Sequence, residues 1–226
     1  MKKKKIMFII VTSIITITLL YICDQILNIN YIEKVIIKLF LFGAFPMIYI
    51  FKTGDNFLKD SIENKGKILN IGLSNVLGIA VFLLIIGTYI ILKQYIDIDT
   101  LINEFEGKYK INKSNIVYYG LYITFINSLM EEFFFRGFIF LNIKKLEFRK
   151  TAYILSSMAF SIYHIANFQN WFSIALFILV SIGLFVGGII FNYLDDKQQT
   201  FLNSWFVHIC ADLAIILIGF KIFDVF

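Results

Sequence analysis

The sequence predicts an all-α, polytopic integral membrane bundle of about seven spans with its N-terminus in the cytoplasm. Three observations carry this reading. Hydrophobic residues make up 59% of the chain and charged residues only 16%, against about 45–50% and about 25% in soluble domains. Several apolar runs reach the roughly 20 residues that a helix needs to cross the hydrocarbon. The basic residues gather in clusters between those runs rather than along one face. A surface so poor in charge excludes an ordinary cytosolic enzyme, a disordered chain and a nucleic-acid-binding domain, although the net charge is +5.

The runs fall at about 6–23, 33–51, 68–92, 116–141, 150–168, 172–193 and 201–220. The first follows Lys2, Lys3, Lys4 and Lys5, a charged start that it shares with signal peptides. Its apolar stretch exceeds their usual length of about 7–15 residues, and Tyr21-Ile22-Cys23-Asp24-Gln25 offers no small-residue cleavage site. It is therefore read as an uncleaved span. With the N-terminus inside and the spans alternating, the inside segments are 1–5, 52–67, 142–150 and 194–200. They hold thirteen basic residues, among them Lys65 and Lys67, against six outside, as the positive-inside rule requires. The outside segment 93–114 is expected to hold a short polar helix. Cys23 and Cys210 lie far apart in apolar runs and read as small buried packing residues. Gly183, Gly187 and Gly188 form a small-residue face for close helix packing. Asp24 and Lys38 lie near span ends, where long or polar side chains can reach the interface. Lysine-rich and isoleucine-rich usage suits an AT-rich bacterial genome.

Ionisable residues inside a span cost about 2.5–3.5 kcal/mol each on insertion scales and mark function by default. Here they concentrate in the C-terminal half. The fourth run carries Glu131, Glu132 and Arg136, the fifth His164, and the seventh His208 and Asp212. At about 1.5 Å per residue, five of these polar groups, from three helices, fall in one layer of the membrane. Glu132 and Arg136 are i and i+4 and can pair, as can Asn127 with Glu131 and His208 with Asp212. Glu131 lies about 100° round the helix from Glu132 and has no evident basic partner. A carboxylate and an imidazole beside a water can share its proton and make it a nucleophile. A second polar pair across the site can stabilise an oxyanion. This inventory suits acyl transfer to water inside a membrane.

At these residues the sequence resembles the CPBP family of intramembrane endopeptidases, also called the CAAX-protease and bacteriocin-processing or Abi family. The family pattern of Glu-Glu-x-x-x-Arg, Phe-x-x-x-His and His-x-x-x-Asn or Asp is met in order by Glu131-Glu132…Arg136, Phe160…His164 and His208…Asp212. The resemblance implies a single membrane domain in which 1–110 supply N-terminal spans and 115–215 the catalytic core. It implies a glutamate-dependent peptide hydrolase, open toward the cytoplasmic side. Glu131 and His164 would activate water, His208 and Asp212 would hold the oxyanion or the water, and Glu132 with Arg136 would orient. Phe160 would pack against the site, and Asn167, one turn after His164, would touch substrate or cap the helix. Asp212 departs from the Asn of better-studied members. An ionised Asp cannot donate, so it is protonated, or orients His208, or leaves the oxyanion to His208 alone. No cofactor is expected. Zinc at Glu131, His164 and His208 is the alternative, without the His-Glu-x-x-His helix of zinc proteases.

The expected partners are the lipid bilayer and a membrane-associated or lipid-anchored peptide or protein as substrate, with no nucleic acid. Oligomeric state has no signature in the sequence. Two other readings stay open: a non-cleaving immunity or scaffold protein on the same fold, and a proton-coupled transporter using the same Glu and His residues as a relay. The absence of an evident internal repeat weighs against the transporter.

Overall fold

A computed structural model describes residues 2–63, 71–168 and 172–225. Lys65 and Lys67 lie outside the described residues, and so does the side chain of Asn167. The described residues form helices and no strands, as expected where the backbone must satisfy its own hydrogen bonds in lipid. Helix α1 (Lys2–Tyr21) runs on as a wider π turn over Ile22–Ile26. Helix α2 (Tyr31–Thr53) starts at a reciprocal cap between Asn30 and Glu33 and stops at Gly54, whose φ of 71° suits glycine. Then follow α3 (Phe57–Glu63), α4 (Ile71–Leu92) and the short polar α5 (Ile98–Gly107), the last as expected from the sequence. Helices α6 (Ile116–Leu121), α7 (Ser128–Glu132) and α8 (Asn142–Lys145) are joined without a break by π-wound stretches, Tyr122–Asn127 and Phe133–Leu141. The chain closes with α9 (Arg149–Phe168), α10 (Ile174–Gln198) and α11 (Leu202–Ile222).

Among the described residues five helices are long and apolar enough to cross a membrane: Lys2–Ile26, Tyr31–Thr53, Gly72–Tyr95, Ile174–Gln198 and Leu202–Ile222. The chain is thus an integral multi-pass membrane protein. The two further spans expected from the sequence are the run from α6 to α8 and helix α9. Both are helical, and both carry the polar residues that dilute their hydropathy.

Ion pairs define two ends of the bundle. At one end Lys2 pairs with Glu147, Lys5 with Asp55 (2.5 Å), Lys145 with Asp60 (2.9 Å), and Lys144 and Arg149 with Asp196. These residues come from the four segments assigned to one side by their basic charge. At the other end Asp24 is buried and accepts from Lys34 (2.9 Å) and Lys108 (3.1 Å). This corrects the reading of Asp24 as an interfacial side chain, because three chain segments close over it. Burial, with the Asp24 and Glu104 carboxylates, pushes the phenol of Tyr109 above its ordinary value. It therefore stays protonated and points its hydroxyl at Asp24, 3.4 Å away. Segment 194–200 is likewise not a free loop: α10 continues to Gln198, and buried Asp195 accepts from the backbone N–H of Ser204 at 3.1 Å.

The core lies between α2, the π-wound stretch Phe133–Leu141 and α9. Phe42 stacks on Phe134 at 4.3 Å, and Phe135 meets Phe160 and Tyr163 edge-on or tilted at 5.4 and 5.6 Å. Helices α9 and α10 are joined by small residues and hydroxyls. Asn192 donates to Ser157 (3.1 Å), Ser156 to Asn192 (3.0 Å) and Ser161 to the carbonyl of Ser181 (2.9 Å). Such bonds substitute in lipid for the hydrophobic effect. Of the three glycines expected at a packing face, Gly188 alone serves it. A Cβ there would lie 2.9 Å from the Cα of Ser157, whereas at Gly183 and Gly187 it would meet nothing within 4 Å. Cys210 packs against Gly78. It and Cys23 are half-buried free thiols rather than fully buried. Replacing Gly188 by Val should cost about 1–3 kcal/mol through overpacking, while Gly183→Ala should leave stability unchanged or slightly raised. Thermal unfolding in detergent micelles measures both.

Candidate active site

The site is built on four helical elements. Helix α7 supplies Glu131 and Glu132 on successive positions, so that they leave the helix in different directions. The π-wound stretch that follows supplies Arg136. Helix α9 supplies Phe160 and His164, and α11 supplies His208 and Asp212. The fourth element, α2, supplies Lys38, which the sequence reading had placed at the interface. Underwound turns on both sides of α7 are of the kind often found at functional positions.

The two carboxylates are held in the same way by different partners. Glu131 is buried. Its Oε1 accepts from the ammonium of Lys38 at 2.6 Å and from Asn127 Nδ2 at 2.9 Å. Lys38 also donates to Asn127 Oδ1 and lies over the rings of Phe42 and Tyr163, 5.3 and 5.0 Å from their centroids. Only 3% of Lys38 is exposed. Its position and partners correct both the expectation that it reaches the interface and the expectation that Glu131 has no basic partner. Glu132 Oε1 accepts from Arg136 Nη1 at 3.0 Å and from His208 Nδ1 at 2.7 Å. Both Glu132 and Arg136 are fully buried. The guanidinium lies between the faces of Phe160 (4.1 Å) and Phe191 (4.9 Å), a desolvated cation–π arrangement.

The two imidazoles converge on Glu131. His164 Nδ1 faces the carbonyl of Phe160 at 2.8 Å. A carbonyl only accepts, so Nδ1 donates to it and Nε2 is the ring nitrogen that faces the site. That Nε2 lies 3.3 Å from Glu131 Oε2. The Nδ1 of His208 is committed to Glu132, and its Nε2 lies 3.8 Å from Glu131 Oε2 and 3.7 Å from Asp212 Oδ1. Glu131 Oε2, Glu132 Oε2 and Asp212 Oδ2 are buried without a hydrogen-bond partner. The unbonded oxygen of Glu131 therefore faces two imidazole nitrogens, at 3.3 and 3.8 Å.

These distances decide one question that Asp212 raised. His208 is oriented by Glu132 and not by Asp212, whose 3.7 Å separation is too long for a hydrogen bond. Phe160 packs against the site as expected, with its ring 4.3 Å from that of His164. The signal that identifies Lys38 is present in the sequence. A lysine within one span, and a second glutamate beside the Glu132–Arg136 pair in another, are each too costly to leave unpaired in lipid.

Glu131, His164 and His208 are also the donors that a zinc ion would take, and imidazoles with Nδ1 held are typical of such sites. The fit is poor. Lys38 already places a positive charge against the same carboxylate, and the described residues contain no group of three His, Cys, Asp or Glu side chains disposed to hold a metal.

A polytopic helical membrane protein with a buried carboxylate–imidazole cluster is the class that this geometry defines. Residues 113–214 match the family model described as type II CAAX prenyl endopeptidase Rce1-like, in agreement with the CAAX-protease family that the motifs of this segment resemble. No curated protein and no solved structure matches the chain. The matched segment contains all three motifs and excludes Lys38.

Removing one partner of a buried pair strands the other charge. Arg136→Met should destabilise the protein by about 3–5 kcal/mol, and Glu132→Gln/Arg136→Met should recover most of that loss. Denaturant unfolding in micelles, followed by circular dichroism, tests both.

Proposed function

We propose that the protein is a glutamate-dependent intramembrane endopeptidase that hydrolyses a peptide bond of a membrane-associated or lipid-anchored chain, with the N-terminus of the bundle in the cytoplasm. The observation that carries the proposal is the free Oε2 of Glu131 facing His164 Nε2 at 3.3 Å in a buried, aromatic-walled site. Water bound beside these two atoms gives a proton to Glu131 as its oxygen attacks the scissile carbonyl carbon. His164 Nε2 hydrogen-bonds the same water and aims its oxygen. The carbonyl oxygen becomes an oxyanion beside His208 Nε2 and Asp212. An imidazolium His208 donates to it through Nε2–H, and a protonated Asp212 adds a second donor. Collapse breaks the carbon–nitrogen bond. The proton held by Glu131 passes to the leaving nitrogen, releasing an amine and a carboxylic acid. Glu132 and Arg136 act one step back: the carboxylate fixes the ring of His208, and the guanidinium balances the carboxylate's charge. No cofactor is needed for this sequence of steps.

Comparison of peptide termini across the membrane proteome of cells making wild-type or Glu131→Gln protein tests this directly. Termini present only with the wild type are expected, along with a loss of about 10²–10⁴-fold in cleavage for Glu131→Gln and His164→Ala at matched protein levels. Identical termini in both would leave a non-cleaving immunity or scaffold role. A second comparison addresses Asp212. If it acts as a neutral donor, Asp212→Asn keeps cleavage within about tenfold, while Asp212→Ala loses about 10²–10³-fold.

A further inference from the structure

We infer that Lys38 is the positioning cation of the site: its ammonium holds Glu131 as a carboxylate, fixes Oε1, and leaves Oε2 as the base that faces the imidazoles. The inference rests on the reading of Glu131 as the base.

Three features of the geometry point to it. Lys38 is almost wholly buried, where an ammonium persists only if its donors are used. Here they go to Glu131 Oε1 at 2.6 Å and to Asn127 Oδ1, with the aromatic faces of Phe42 and Tyr163 covering the remainder. Secondly, the bonds are one-sided. Lys38 and Asn127 Nδ2 both reach Oε1 and neither reaches Oε2, so the partner that stabilises the charge does not occupy the reactive oxygen. Thirdly, the site's other permanent cation is committed elsewhere, since Arg136 bonds Glu132. The remaining charged or titratable groups around Glu131 are the adjacent Glu132, Tyr31 on α2, His164 on α9, with Tyr163 beside it, Tyr122 on the π-wound stretch before α7, and His208 and Asp212 on α11. Of these, only the imidazoles can be cationic, and in the proposed reaction they are occupied with water and oxyanion. Without Lys38, a carboxylate in this setting is better accommodated as the neutral acid, which cannot take a proton from water. Lys38 comes from α2, outside the segment 113–214, so the N-terminal spans complete the site rather than merely surround it.

The test uses the full-length protein in lipid nanodiscs, with variants Lys38→Met, Lys38→Gln, Lys38→Arg and Lys38→Met/Glu131→Gln. Infrared spectra at neutral pH report the carbonyl stretch of protonated carboxylic acids. That band should gain intensity in Lys38→Met and in Lys38→Gln, relative to wild type. The gain should vanish in the double variant, and Lys38→Arg should match wild type. Lys38→Gln keeps a hydrogen-bond donor and serves if the Met variant does not fold. In cells, the wild-type-specific termini should fall by about 100-fold or more with Lys38→Met and be restored substantially by Lys38→Arg. A Lys38→Gln protein with no added carboxylic-acid band, or one that cleaves at the wild-type level, would overturn the inference. If the wild type itself yields no new termini, the protease reading fails, and the infrared comparison still decides whether Lys38 holds Glu131 ionised.

Discussion

Pairing of buried charge is the constraint on which the rest of the structure depends. Two carboxylates on adjacent positions of one helix cannot both face the same cation, because the helix turns by about 100° between them. Glu132 finds Arg136 one turn along its own helix. Glu131 must find its partner on another element, and that partner is Lys38 on α2. The pairing ties an N-terminal span to the C-terminal half of the bundle at the depth of the site. It also places Phe42, one turn beyond Lys38, against Phe134 in the centre of the core. Charge and packing thus specify the same register between α2 and the run from α6 to α8.

The two pairs leave the carboxylates with different tasks. Each has one oxygen saturated by donors and one oxygen buried and unbonded. For Glu132 the saturated oxygen also takes His208 Nδ1, so this residue is spent on orientation. For Glu131 the unbonded oxygen faces two Nε2 atoms, which is the arrangement behind its proposed role as the base. The aromatic wall of Phe160, Phe191 and Tyr163 lowers the local dielectric, which strengthens every electrostatic contact inside it. The same wall makes an unpaired charge there costly, and this is why each carboxylate is held to a cation through one of its oxygens.

Much of this site is legible in the sequence because its signals are local. Glu132 with Arg136 and Asn127 with Glu131 are i and i+4 pairs, readable from helical spacing alone, and both form. The convergence of Glu131, His164, His208 and Asp212 follows from equal depth on separate spans. Lys38 with Glu131 and Asp24 with Lys34 and Lys108 were not legible in this way. Their partners lie on different chain segments, and depth along a span says nothing about which helices are neighbours. The same limit applies to the glycines of α10. Spacing marks all three as candidates for close approach, but rotation of the helix brings Gly188 alone against Ser157.

By itself the sequence determined that the chain is a helical membrane protein, because its apolar runs have the length of membrane-spanning helices, which satisfy their own backbone. It also pointed to the polar side chains that meet in the site, because the rise per residue of a helix gives Glu131, His164, His208 and Asp212 similar positions along their helices. Only the tertiary structure decided which carboxylate oxygen is free, that Glu132 and not Asp212 orients His208, and that the cation beside Glu131 comes from α2. Those outcomes depend on the lateral order and rotation of helices, which are set by packing between segments far apart in the chain and leave no periodic trace in any one of them.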